Sequence, residues 1–172
     1  NVIHGVFSNN PSPLVYSKFS MNNLDPTNPS NQQIFPDPNR IIMSKTDPKG
    51  VIEFANDYFV EISGYSRAEL MGQAHNIIRH PEMPKVIFKL LWDHIQKGES
   101  MYAFVKNLTK KGQFYWVIAK VDPKTDANGN IISYVSNRRG IPDETALKVE
   151  EYYKILLEIE TSNPVTVSEK YF

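Results

Sequence analysis

There is no cysteine among the 172 residues. Its absence excludes disulfides, thiolate metal sites, iron–sulfur clusters, thiolate-ligated haem and a cysteine nucleophile. Net charge is missing too: nineteen Lys and Arg balance nineteen Asp and Glu. No bulk field therefore draws the chain toward nucleic acid or an anionic bilayer. No apolar run approaches the roughly 20 residues that cross a membrane, and the first residues lack a signal-peptide pattern. A Gly-rich phosphate loop, a nucleophile elbow and an HExxH-type metal motif are absent as well, so the expectation is a protein that is not an enzyme. Its expected location is the cytoplasm. The chain begins with Asn1 rather than Met and is read as a trimmed piece, with room for membrane segments outside it.

What is present is ordinary globular composition, 41% hydrophobic and 22% charged, and a length suited to one domain with extra segments. Three zones differ. Residues 1–40 hold six of the twelve prolines and many Asn and Ser, which favours turns and extended chain over a packed core. This zone reads as an irregular arm or linker, with apolar islands at Val2-Ile3, Leu14-Val15-Tyr16 and Ile34-Phe35 as the case for docking. Residues 41–140 read as the folded domain. Residues 141–172 read as a signalling or dimerisation helix and tail, with Asp143 as N-cap and an apolar stripe of Leu147, Val149, Tyr152, Tyr153, Leu156 and Ile159. That stripe fits packing on its own sheet or on a second copy equally well.

In the middle zone, 41–46 and 51–54 read as a hairpin around Asp47-Pro48-Lys49-Gly50. Asn56 or Asp57 caps a short helix that stops near Gly64. Ser66-Arg67-Ala68-Glu69 fits a capping box opening a second helix. Apolar residues from Val86 to Ile95 recur at helical spacing, and Gly98 closes that helix. Three β-rich runs follow, at 101–109, 113–121 and 131–139. This order predicts an α+β fold. Lys110-Lys111 reads as a hairpin tip and Arg138-Arg139 as a strand end, both as solvated charges.

The motifs narrow the choice. Phe54-Ala55-Asn56-Asp57-Tyr58-Phe59 and Ser63-Gly64-Tyr65-Ser66-Arg67-Ala68-Glu69-Leu70-Met71-Gly72 resemble the general PAS pattern. His75-Asn76-Ile77-Ile78-Arg79-His80-Pro81-Glu82-Met83-Pro84 is narrower. With Leu91-Trp92, Val105-Lys106-Asn107 and Gly112-Gln113-Phe114-Tyr115-Trp116-Val117, it resembles the PAS domains of bacterial aerotaxis receptors and stand-alone energy-taxis proteins. Two positions depart from that pattern: Glu82 stands where the family has Asp, and Met101 where it has Trp. The resemblance implies a PAS fold, a five-stranded antiparallel sheet cupped by short helices. It also implies bound FAD and a membrane chemoreceptor, or its signalling region, as partner, with a homodimer as a further expectation. Without cysteine, the cysteinyl–flavin photochemistry of some PAS-like light sensors is excluded.

A flavin site needs apolar walls, amide donors and acceptors, and a cation near phosphate. The candidate set is Arg79, a five-donor fork; His80, which switches charge near neutral pH; Asn56, Asn107 and His75 as neutral polar groups; Glu82; and Trp92 and Trp116 as walls. Each has a plainer reading. Arg79 can pair with a surface carboxylate, His80 can be structural, Asn56 a helix cap, His75 a turn cap and Trp92 ordinary core. Trp116 faces the helices in only one of two strand registers. The alternatives to a flavin sensor are a cofactor-free interaction module, a haem sensor using His80 or His94, and a flavoenzyme, for which no substrate site or nicotinamide motif is visible.

Overall fold

The computed structural model describes residues 32–164. In chain order the elements are β1 (Ile42–Thr46), β2 (Ile52–Ala55), α1 (Asp57–Ser63), α2 (Arg67–Leu70), a 3-10 turn (His75–Ile78), α3 (Lys85–Ile95), β3 (Met101–Leu108), β4 (Phe114–Thr125), β5 (Ile131–Gly140) and α4 (Asp143–Ser162). The strands form one sheet in the order β2-β1-β5-β4-β3, antiparallel at every pairing. This is the expected α+β arrangement of five strands and short helices. Among the described residues no helix is long and apolar enough to cross a membrane.

Local chemistry explains the short elements. Asp47 Oδ1 accepts from the backbone N–H of Lys49 at 2.8 Å and of Val51 at 2.9 Å, which ties the β1–β2 turn. Asn56 caps α1 by accepting from Phe59 N. Gly64 closes that helix at φ 74°, a left-handed conformation that a side chain would strain. Ser66 and Glu69 form the reciprocal capping box that their spacing predicts.

The sheet has two unlike faces, fixed by alternation and register. Ala103, Val105 and Asn107 of β3 pair with Ala119, Val117 and Tyr115 of β4; Arg138 and Ser136 of β5 pair with Ala119 and Val121. These residues are buried and face α1, the 3-10 turn and α3. The other face carries Phe104, Lys106, Trp116 and Ile118, where α4 lies. Ala146, Val149 and Tyr153 of α4 are buried. The Tyr153 ring sits 5.8 Å from that of Trp116, and its hydroxyl donates to Phe104 O at 2.7 Å. Only part of the expected stripe docks, since Leu147, Tyr152 and Ile159 stay exposed. Pro142 rather than Asp143 holds the N-cap position, with Asp143 in the first turn.

The described part of the expected N-terminal arm is attached to the sheet. Phe114 N donates to Gln32 O at 3.0 Å and Ile34 N donates to Phe114 O at 2.8 Å. Pro36 abuts Gly140, where an added Cβ would meet its ring at 3.1 Å. The apolar islands at Val2-Ile3 and Leu14-Val15-Tyr16 lie outside the described residues.

Candidate functional site

Between the inner face of the sheet and the helices lies a cavity of about 30 Å³. Apolar walls come from Phe88 and Leu91 of α3 and from Val105, Ala119 and Val121 of the sheet. The polar lining is His75, Asn76, Arg79, Asn107, Ser136 and Arg138. The lining includes two guanidinium groups and no carboxylate.

Arg138 is the unusual group. It is 2% exposed, and its hydrogen bond runs from Nη2 to Ser44 Oγ at 2.9 Å. Nε and Nη1 are buried and meet no acceptor. Its guanidinium lies 4.4 Å over the Phe59 ring, a cation–π contact that softens the desolvation without supplying an acceptor. Burial lowers its pKa to about 10, which still leaves it charged at neutral pH. A buried cation without an anion is expensive unless something else in the site accepts its hydrogen bonds.

The Ser44 hydroxyl also lies 2.9 Å from His75 Nε2. Its oxygen has two lone pairs and one proton, so beside accepting from Arg138 it accepts from Nε2–H in one His75 tautomer and donates to a bare Nε2 in the other. The His75 ring is buried and parallel to Phe59, with centroids 5.9 Å apart. Burial first, then the nearby Arg138 and Arg79 charges, hold its pKa well below 6.5. Asn107 is 2% exposed, and its register partner Tyr115 is pushed up to about 12, chiefly by burial. Arg79 stacks 4.0 Å over Phe88 and bridges to Asn107 through the backbone.

A pH prediction follows from His75. Unfolded, its imidazole gains a proton near pH 6.5; folded, it resists. Its contribution to stability is therefore complete above about pH 6.5 and is lost as pH falls toward the lowered folded value. His80, lowered by burial and by Lys106, adds in the same direction. Thermal melts from pH 7.5 to 5 are expected to fall, with up to about 1.4 kcal/mol per pH unit for each histidine. A His75→Gln variant is expected to show a shallower fall, and an identical slope would count against this assignment.

The structure brings His75, Arg79 and Asn107 of the expected set together around the cavity. It does not bring the other five there. Asn56 is occupied by backbone, with Oδ1 accepting from Met43 N at 3.1 Å and Phe59 N at 3.0 Å and Nδ2 donating to Ile41 O at 2.8 Å. Trp92 packs edge-on against Tyr134, centroids 5.6 Å apart. Trp116 is corrected to the opposite face of the sheet, because Asn107 pairs with Tyr115 and the alternation turns Trp116 outward beside Lys106. His80 accepts from Glu82 N at 3.1 Å through Nδ1 and stands edge-on to Phe114. Glu82 meets Lys106 Nζ at 3.0 Å. His94, the other histidine considered for haem, is exposed and paired with Glu99 at 2.5 Å. Among the described residues no group of His, Cys, Asp and Glu is arranged to hold a metal.

Arg138, Ser44 and Asn76 were not in the expected set. Its place at a strand end predicts a solvated Arg138, and its burial overturns that. The alternation of β5 from Tyr134 through Ser136 does place Arg138 inward, but a charge at the end of a strand conceals the pattern.

Residues 52–138 match a family model described as PAS fold. The chain is 45% identical over 115 residues to the aerotaxis receptor of Escherichia coli, which is 67% of this chain and 22% of that protein. It is 26% identical over 109 residues to the bacterioopsin transcriptional activator of Halobacterium salinarum, 63% of this chain and 16% of that protein. The light-state structure of the blue-light photoreceptor Aureochrome1 LOV superposes with a TM-score of 0.56 at 23% identity, covering 70% of this chain and 91% of that one. The chain thus spans about a fifth or less of the length of these two curated relatives.

Proposed function

Because the chain belongs to the PAS fold family, we propose that it is a sensory domain that binds FAD in the Arg138 cavity. In this reading it reports redox or energy state to the signalling region of a membrane chemoreceptor. The observation that carries the proposal is Arg138, a buried cation with two nitrogens, Nε and Nη1, that meet no acceptor, lining a cavity without carboxylates. Such a site favours a ligand with several oxygen acceptors and apolar faces. The pyrimidine edge of a flavin has two carbonyls, and its rings suit walls of Phe88, Leu91, Val105, Ala119 and Val121. Arg138 and Asn107 would donate to that edge. Arg79, half-buried and flat against Phe88, would serve the phosphates.

The bound flavin would supply a ring whose charge and hydrogen bonding change on reduction. Around it, Arg138 favours added negative charge. Neutral His75 adds no competing cation beside Arg138, and the apolar walls keep water away. Relatives whose names state a sensory or regulatory role, such as the aerotaxis receptor, support signalling over catalysis. The lack of cysteine supports a redox response over a cysteinyl adduct.

An absorbance spectrum tests this reading. Freshly purified protein, or protein incubated with FAD and desalted, is expected to show the two flavin bands. Colourless protein that regains no band overturns the proposal in favour of a cofactor-free module. A Soret band would replace it with haem sensing.

A further inference from the structure

At about 30 Å³ the cavity is far smaller than the roughly 300–1,000 Å³ of ordinary ligand sites, so seating a flavin ring inside must widen it. One wall is the hydrogen-bonded sheet. The other wall is the helical side, where Arg79 and Phe88 line the cavity and residues 80–86 join them; its backbone meets the sheet at the Arg79–Asn107 bridge.

That joining segment is the one α4 holds. Lys106, whose side chain is only 6% exposed, places Nζ 3.0 Å from Glu82 of the segment and 3.0 Å from Glu150 of α4. The Lys106 backbone is held by the same segment, since His80 N donates to Lys106 O at 3.2 Å and Lys106 N points to Met83 Sδ at 3.2 Å. A second tie lies one turn onward. Pro84 holds the N-cap position of α3 and supplies no side-chain cap. Glu160 of α4 serves it instead, accepting from Lys85 N at 3.1 Å and Val86 N at 2.7 Å. A carboxylate there satisfies orphan N–H groups and complements the helix dipole.

We infer that α4 is a clasp that holds the cavity narrow, so that docking of α4 and loading of the cavity oppose each other. The inference rests on the flavin reading only for the identity of the ligand. Widening displaces residues 80–86, which strains both ties; breaking the ties lowers the penalty for widening. By linkage the coupling is reciprocal: whatever loosens α4 tightens the ligand, and the ligand loosens α4.

The test uses Glu150→Gln, Glu160→Gln, their double variant and, as control, Glu144→Gln, a carboxylate that pairs along α4 with Lys148. FAD affinity is read by flavin fluorescence, and hydrogen exchange is followed at residues 80–92 and in α4. The double variant is expected to bind FAD about 5- to 100-fold more tightly and to exchange faster at 80–92 without ligand. FAD is expected to speed exchange in wild-type α4. Unchanged or weaker FAD binding in the double variant overturns the clasp, and so does an equal effect of Glu144→Gln. If no version binds FAD, the flavin reading falls on its own, and unchanged exchange at 80–92 in the double variant then overturns the clasp.

Discussion

Arg138→Met is expected to give a protein that melts higher when empty and no longer retains flavin. Methionine approximates the length of the arginine stem and follows an irregular cavity wall well. It removes a buried charge that has one hydrogen bond, to Ser44, and two nitrogens, Nε and Nη1, without acceptors. Replacing buried ionic groups by apolar ones stabilises proteins by roughly 1–4 kcal/mol in favourable cases. At about 3 °C per kcal/mol for a domain of this size, the melting temperature should rise by several degrees. The same substitution deletes two charge-assisted hydrogen bonds to the ligand, at about 1.5–3 kcal/mol each, so affinity should fall about 10²- to 10⁴-fold. Arg138→Lys, which keeps the charge and loses the fork, should fall between. Calorimetry and a flavin titration decide the matter. A lower melting temperature with flavin still bound would sink the role assigned to Arg138.

Phe59→Ala should be the most damaging single substitution for stability. Phe59 is 0% exposed, and its ring lies under the Arg138 guanidinium and parallel to His75. Truncating a buried phenylalanine costs about 3–5 kcal/mol through lost transfer energy and the cavity left behind. Here a desolvated cation–π contact, worth on the order of 2 kcal/mol, is lost as well. Against a total stability of roughly 5–15 kcal/mol, much of the margin disappears. Urea unfolding should show a midpoint shift of that size at unchanged slope, and Phe59→Leu should recover most of it. A loss below about 1 kcal/mol would mean that Arg138 does not rely on this ring.

How far the sequence could be read depended on the range of each signal. Elements governed by neighbours in sequence were legible: the Asp47 turn, the Ser66–Glu69 box, the end of α1 at Gly64 and the run of α3. Their hydrogen bonds close within a few residues, so spacing alone reveals them. The site depends on strand register, which is set between distant segments. Trp116 and Asn107 sit nine residues apart on paired strands, and register sends Asn107 inward and Trp116 outward. Arg138 was hidden for a different reason. Its burial is unfavourable in itself, and composition-based expectation sends charges to solvent. The links from Glu160 to α3 and from Glu82 and Glu150 to Lys106 join residues far apart in the chain; no local pattern announces them.

The contact of Pro36 with Gly140 has an architectural consequence. Gln33 Nε2 also reaches Asp143 Oδ1 at 3.4 Å, so the chain enters the sheet and leaves it into α4 at one corner. Helix α4 departs from that corner for 20 residues, about 30 Å at 1.5 Å per residue. A neighbour attached to its far end would hang from a lever whose pivot is the point where the upstream chain arrives.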